Sequence, residues 1–135
     1  MIHLTPEQRV FVTERHLATL TTLRTDGTPH VVPVAFTWDP ESGTAVMTTR
    51  EGSAKVHNIE AAGAQGGPAR GALCQVDGGR WLTLEGELSV VRDPEVIADA
   101  ERRYALRYRH LEPSPTRIVL RRAVDRVMGS AYMTR

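Results

Sequence analysis

Turn signals restrict most strongly what this chain can fold into. The dipeptide Asp26-Gly27 and the runs 39–43 (DPESG) and 77–79 (DGG) each separate two segments in which β-branched and apolar residues recur. Asp-Gly and Gly-Gly pairs favour tight turns between antiparallel strands, because both residue types tolerate positive φ. We therefore predict six strands, over residues 17–24, 29–38, 44–49, 72–76, 81–91 and 117–128.

Helices are predicted at three points between these strands. Thr5-Pro6 with Gln8 has the pattern of a capping box and starts a helix that ends near residue 15. Ser53 can cap a second helix, and a third is predicted over 96–108. The run 63–71 (GAQGGPARG) holds too few apolar residues to pack and is predicted to be a flexible loop.

This order of elements predicts the fold class. Helix, three strands, short helix, two strands, helix and strand favour a mainly β (α+β) domain whose six antiparallel strands form a closed or partly closed barrel. Pro33 lies inside the second strand, and proline lacks the N–H that a central strand must donate. The second strand is therefore predicted to lie at an edge or to contain a bulge.

Length and charge narrow the function classes. A chain of 135 residues predicts one domain over residues 1–135, and a net charge of +1 gives no indication of nucleic-acid binding. The single cysteine, Cys74, rules out an internal disulfide. No long apolar run predicts a membrane span, and residues 1–6 lack signal-peptide character, so we expect a cytoplasmic protein. The five histidines lack metal-ligand spacing, and no metal site is expected.

Two stretches carry most of the polar chemistry. The run 48–55 (TTREGSAK) combines hydroxyls, a glycine turn, a helix start and two cations, a combination that suits an anion. The run 75–81 (QVDGGRW) places an arginine and a tryptophan at a hairpin tip. Two plainer interpretations stay open: an ordinary capped loop for the first, and a charged turn with a core tryptophan for the second.

Three longer segments together resemble a known family. Residues 14–43, 48–58 (TTREGSAKVHN) and 73–87 (LCQVDGGRWLTLEGE) are similar to the F420-dependent branch of the split β-barrel flavoproteins related to pyridoxamine-phosphate oxidase, and within it to the biliverdin-reductase type. The resemblance implies a six-stranded antiparallel split β-barrel with flanking helices. It also implies hydride transfer from reduced coenzyme F420 to a conjugated small-molecule acceptor, with reduction of biliverdin to bilirubin as the candidate reaction.

The resemblance further implies a homodimer with two cofactor sites at the subunit interface. The deazaflavin carries the hydride chemistry, so no catalytic side chain is implied. The implied cofactor-binding residues lie on the second strand, on the third strand with the following turn and helix, and on the second hairpin: His30, Val32, Pro33, Val34, Ala35, Phe36, Thr48, Thr49, Arg50, Ser53, Ala54, Lys55, Asn58, Cys74, Gln75, Val76, Asp77, Arg80 and Trp81. The run 63–71 is longer than the family pattern and leaves the position of Arg70 open.

Two alternatives stand beside this prediction. The same fold could bind FMN and act as an oxidase or reductase, or the protein could bind F420, flavin or a tetrapyrrole without catalysis. Lys55 is the only lysine, so the chain lacks a lysine cluster for the FMN phosphate. This absence favours F420 over FMN.

Overall fold

A computed structural model describes residues 2–134 of the chain. Within these residues the chain forms seven strands and four helices. The strands are β1 (Ala18–Leu23), β2 (Pro29–Val34), β3 (Thr37–Asp39), β4 (Thr44–Arg50), β5 (Ala69–Asp77), β6 (Arg80–Val91) and β7 (Arg117–Gly129). The helices are α1 (Pro6–Phe11), α2 (Ala54–Ala64), α3 (Pro94–Arg107) and α4 (Ala131–Thr134).

All seven strands belong to one antiparallel sheet in the order β2-β1-β5-β6-β7-β4-β3. The two edge strands, β2 and β3, follow each other in the chain and are separated only by Ala35 and Phe36. The sheet must therefore curl until its two edges almost meet. This arrangement is a partly closed barrel, which confirms the predicted mainly β fold class and the edge position of Pro33.

The predicted strand over 29–38 is in fact two strands, which raises the strand count from six to seven. At the break, the backbone carbonyl of Phe36 accepts hydrogen bonds from Arg107 Nη1 at 2.5 Å and from the Tyr108 hydroxyl at 3.1 Å. Side chains from the end of α3 thus take the place of a ladder partner. They hold the chain where it passes from one edge of the sheet to the other.

The predicted flexible loop over 63–71 is wrong at both ends. Helix α2 continues to Ala64, and β5 already begins at Ala69. Gly71 lies inside β5, where a Cβ atom would come within 2.6 Å of the Thr21 carbonyl oxygen and 2.8 Å of Arg122 Nη2. This glycine therefore permits close packing rather than flexibility. The neighbouring Arg70 donates to both oxygens of Asp125, each at 2.8 Å.

The barrel interior is mainly apolar, with many leucines, and it contains one buried arginine. Leu20, Leu73 and Leu120 are at most 1% exposed, and Arg122 is fully buried among them. Arg122 Nη1 donates to the carbonyls of Gly71 and Leu84, the latter at 2.8 Å, and burial lowers the pKa of this guanidinium to about 10. None of the helices described over residues 2–134 has the length and apolar character needed to cross a membrane.

Helix α1 begins with the predicted capping box, since the Gln8 amide N–H donates to Thr5 Oγ1 at 3.2 Å and the Thr5 N–H donates to Gln8 Oε1 at 2.9 Å. The helix ends at Phe11, earlier than predicted. Phe11 is 1% exposed and packs into the core. The short C-terminal helix α4 was not predicted; it is joined to α1 by a 2.6 Å hydrogen bond from Gln8 Nε2 to the Met133 carbonyl.

Candidate functional site

An open groove of about 490 Å³ lies where the end of β2 meets the end of β4 and the start of α2. It brings together seven of the predicted site residues with four others. The predicted ones are Pro33, Val34, Ala35, Thr48, Thr49, Arg50 and Lys55, and the others are Tyr104, Leu111, Ser114 and Arg117.

One wall of the groove is apolar and held in place from behind. It consists of the 33–35 segment together with Tyr104, whose ring lies 5.0 Å from the Tyr108 ring at 40°. The Tyr108 hydroxyl donates to the carbonyls of His16 (2.9 Å) and Phe36 (3.1 Å). These bonds fix the β2–β3 junction, so the wall is a preformed surface against which a planar apolar molecule can lie.

The opposite end of the groove is cationic. The side chains of Arg50 and Lys55 make no hydrogen bond or ion pair with any residue from 2 to 134. Lys55 is half-buried, and its pKa is lowered first by desolvation and second by repulsion from Arg50. Two neighbouring cations without a counter-charge are unfavourable in the free protein. An anionic group bound between them would remove this cost.

The start of α2 adds to this positive end. Its N-cap residue, Ser53, makes no capping hydrogen bond; the Ser53 hydroxyl instead accepts from Thr49 Oγ1 at 3.3 Å. The first turn of the helix contains no acidic residue. The first N–H groups of the eleven-residue helix therefore lack a side-chain acceptor and lie next to Lys55. This arrangement fits a phosphate or carboxylate.

Other predicted residues have structural partners instead. Asn58 is 7% exposed, and its amide donates to Thr22 Oγ1 at 3.0 Å, which joins α2 to β1. Gln75 is 1% exposed; its Nε2 donates to the Phe11 carbonyl at 2.8 Å, and its Oε1 accepts from Arg107 Nη2 at 2.6 Å. Both amides belong to the supporting frame rather than to the groove lining.

Three predicted residues of β2 and of the β2–β3 junction lie in the protein core or at its edge. Phe36 is 1% exposed and belongs to the core, and Val32 packs against the core. His30 pairs across the ladder with Thr22, and its Nδ1 atom is buried without a hydrogen-bond partner among the residues described. Because side chains alternate along a strand, the intervening Val31 and Pro33 point outward.

The predicted hairpin residues form a separate cluster away from the groove. Arg80 donates to Glu14 at 2.8 Å and to Asp77, and its guanidinium lies 4.8 Å from the centre of the Phe11 ring. The hydrogen bond from Arg80 lowers the pKa of Glu14. Glu14, His16 and Asp77 lie close enough together to coordinate one metal ion, but Arg80 already supplies the positive charge there. Three further predicted residues, Cys74, Val76 and Trp81, are at least partly exposed near the same tip.

Four groove residues escaped prediction because they come from distant parts of the chain. Arg117 lies directly opposite Arg50 in the β4–β7 ladder, so knowledge of that strand pairing would have identified it. It donates to Glu101 and, at 2.8 Å, to the Glu112 carbonyl. Tyr104 lies on α3, a helix rich in charged residues whose sequence gives no local sign of which face meets the groove.

Together, the curled antiparallel sheet and the groove with an apolar wall and a cationic helix start define a split-barrel protein that can hold a planar anionic ligand. The model of the pyridoxamine 5'-phosphate oxidase family matches residues 4–130. The chain belongs to this family.

One curated relative and two solved structures are similar to this chain. The F420H2-dependent biliverdin reductase of Mycobacterium tuberculosis (strain CDC 1551 / Oshkosh) is 47% identical over 128 residues, which cover 95% of this chain and 89% of the relative. A conserved hypothetical protein of Mycobacterium tuberculosis has a TM-score of 0.78 at 21% identity, covering 96% of this chain and 86% of that one. The structure of an F420 reductase has a TM-score of 0.70 at 23% identity, and the match covers 89% of this chain and 94% of that one. The two structures share the fold.

Proposed function

We propose that this protein is an F420-dependent oxidoreductase that reduces biliverdin to bilirubin. The observation that carries the proposal is the 47% identity, over nearly the whole chain, to an F420H2-dependent biliverdin reductase. The groove supports it independently, because the apolar wall and the unpaired cations match the two halves of such a cofactor. Coenzyme F420 combines an apolar tricyclic ring with a phosphodiester and an oligoglutamate tail.

Each part of the groove has a defined role in this proposal. The 33–35 segment and Tyr104 form the surface along the ring, while the start of α2 and Lys55 hold the phosphate. Arg50 faces the same end and suits a carboxylate of the tail, because guanidinium and carboxylate groups pair in a fork. When bound, reduced F420 supplies a hydride, and a proton from solvent completes the reduction of the conjugated acceptor.

The protein is further proposed to act as a homodimer with the cofactor sites at the interface. The outer face of the sheet carries exposed apolar residues on the two strands that flank β1: Val31 on β2 is 55% exposed and Val76 on β5 is 59% exposed. Leu17, just before β1, is 60% exposed. An uncovered apolar face of this kind marks a protein interface. In this arrangement the β5–β6 hairpin of a second copy closes the groove, which accounts for the distance between this hairpin and the groove of its own chain.

Binding measurements test the cofactor assignment. Purified protein is titrated with oxidised F420 and, separately, with FMN, and fluorescence follows both ligands. We expect saturable F420 binding that is at least about tenfold tighter than FMN binding, a difference of about 1.4 kcal/mol. Tighter binding of FMN would replace F420 with FMN as the cofactor. Absence of binding by either would refute the assignment of the groove.

A further inference from the structure

A second cavity adjoins the groove and is larger than it. This trough, of about 780 Å³, lies between one face of α3 and residues 110–115. Leu111, Ser114 and Arg117 line both the trough and the groove, so the two spaces are adjacent. Helix α3 contributes to both linings, with Tyr104 at the groove and Ala105 at the trough.

The lining of the trough is apolar along its length and basic at its rim. Pro94, Ile97, Ala98 and Ala105 recur at the helical spacing that places them on one face of α3. Prolines 113 and 115 lie opposite this stripe. The charged groups of the lining are Arg102, which pairs with Asp99, and Arg117, which pairs with Glu101, together with the exposed His110.

The volumes of the groove and the trough indicate that cofactor and acceptor bind in different spaces. A pocket for a single drug-sized ligand has a volume of about 300–1,000 Å³. The groove, at about 490 Å³, has room for one ring system and its phosphate but not for a second large molecule. Hydride transfer requires donor and acceptor to meet within van der Waals contact, so the acceptor must bind in a space next to the groove. The trough is the space that adjoins the groove, since Leu111, Ser114 and Arg117 line both.

We infer that the trough is the acceptor subsite, and that it takes a large, planar, conjugated molecule with carboxylate groups. This inference rests on the proposed function and adds the place of the acceptor to it. The apolar stripe of α3 lies along the conjugated body, and Arg102 and His110 face the carboxylates at the open rim. The reacting carbon lies at the junction with the groove, where it receives the hydride, and solvent supplies the proton.

Ring-bearing substitutions on the stripe test this inference. Ala98 and Ala105 are both exposed on α3, so Ala98→Phe and Ala105→Phe add bulk to the trough without disturbing the core. Leu106→Phe is the matched control, because this neighbour is 81% exposed and borders a different cavity between α1 and α3. Biliverdin binding is measured by absorbance in the presence of oxidised F420, so no turnover occurs.

We expect each trough variant to weaken biliverdin binding by about tenfold or more, with F420 affinity within about twofold of the wild type. The Leu106→Phe control should bind both ligands normally. Wild-type biliverdin affinity in both trough variants would overturn the inference and leave the proposed reductase function intact. A wild-type protein that binds F420 but neither binds nor reduces biliverdin would overturn the acceptor assignment as well.

Discussion

Replacing Lys55 by methionine should change cofactor binding and protein stability in opposite directions. In the free protein the Lys55 ammonium is half-buried beside Arg50 and has no counter-ion among residues 2–134. It also lies in the first turn of α2, where a cation opposes the helix dipole by about 0.3–1 kcal/mol. Lys55→Met keeps the length of the side chain but removes the charge. We expect the free energy of unfolding of the cofactor-free protein to stay the same or rise by about that amount.

Cofactor binding should weaken in the same variant. A hydrogen bond to a charged group contributes about 1.5–3 kcal/mol, so the dissociation constant for F420 should rise about 10- to 150-fold. Arg9→Met is the matched control, because Arg9 is exposed, has no ion pair among the described residues and lies outside the groove. Fluorescence titration and urea unfolding measure the two quantities. Unchanged F420 affinity in Lys55→Met would refute the assignment of the phosphate to this end of the groove.

The pH dependence follows from the direction of the Lys55 shift. The folded protein lowers the pKa of Lys55 below its ordinary value of 10.5, so the unfolded chain holds the proton to higher pH. The Lys55 contribution should therefore make the cofactor-free protein more stable as pH rises through the interval between the two pKa values. F420 binding should weaken over the same interval, because the cation that holds the phosphate is lost. In Lys55→Met both slopes should be reduced.

Three further substitutions test the frame and the assembly. Gly71→Ala should lower the free energy of unfolding, measured in urea, by about 1–3 kcal/mol, because the added Cβ would clash with a β1 carbonyl. The control Gly79→Ala should change it by less than about 0.5 kcal/mol, because a Cβ there has no atom within 4 Å. Tyr108→Phe should cost about 1–2 kcal/mol, because it removes the hydroxyl that bonds the carbonyls of His16 and Phe36 and leaves both to Arg107 alone. An equal loss in Tyr104→Phe, whose hydroxyl makes no such bonds to residues 2–134, would contradict this reasoning. Light scattering should give a dimer for the wild type and a monomer for Val31→Glu; a wild-type monomer would contradict the proposed interface.

Local sequence signals predicted the elements that depend on local chemistry. Asp26-Gly27 and the run 77–79 predicted hairpins that are present as β1–β2 and β5–β6. The break between β2 and β3 has a different origin, because the carbonyl of Phe36 is held by Arg107, 71 residues further along the chain. Gly71 likewise resembled a loop residue, since the Arg122 side chain that requires it lies on another strand. Such features arise from tertiary contacts and have no local signature.

The candidate site likewise contains residues that local sequence patterns predicted and residues that only tertiary contacts bring in. The run 48–55 contributes Thr48, Thr49, Arg50 and Lys55 to the groove, because a strand end followed by a helix start is a local pattern. Tyr104 and Arg117 reach the groove only through the packing of α3 and the pairing of β7 with β4. For Asn58 the residue type indicated a polar contact, and the structure supplies its partner inside the protein, at Thr22.

Anaerobic turnover is the most direct test of the central claim. Reduced F420, biliverdin and the protein are mixed, and bilirubin absorbance is followed against a protein-free control and against the Lys55→Met variant. We predict bilirubin formation well above the control, matched mole for mole by oxidation of F420, and slower formation in the variant at F420 concentrations that do not saturate it. No bilirubin above the protein-free rate, from protein that binds reduced F420, would contradict the proposed reaction.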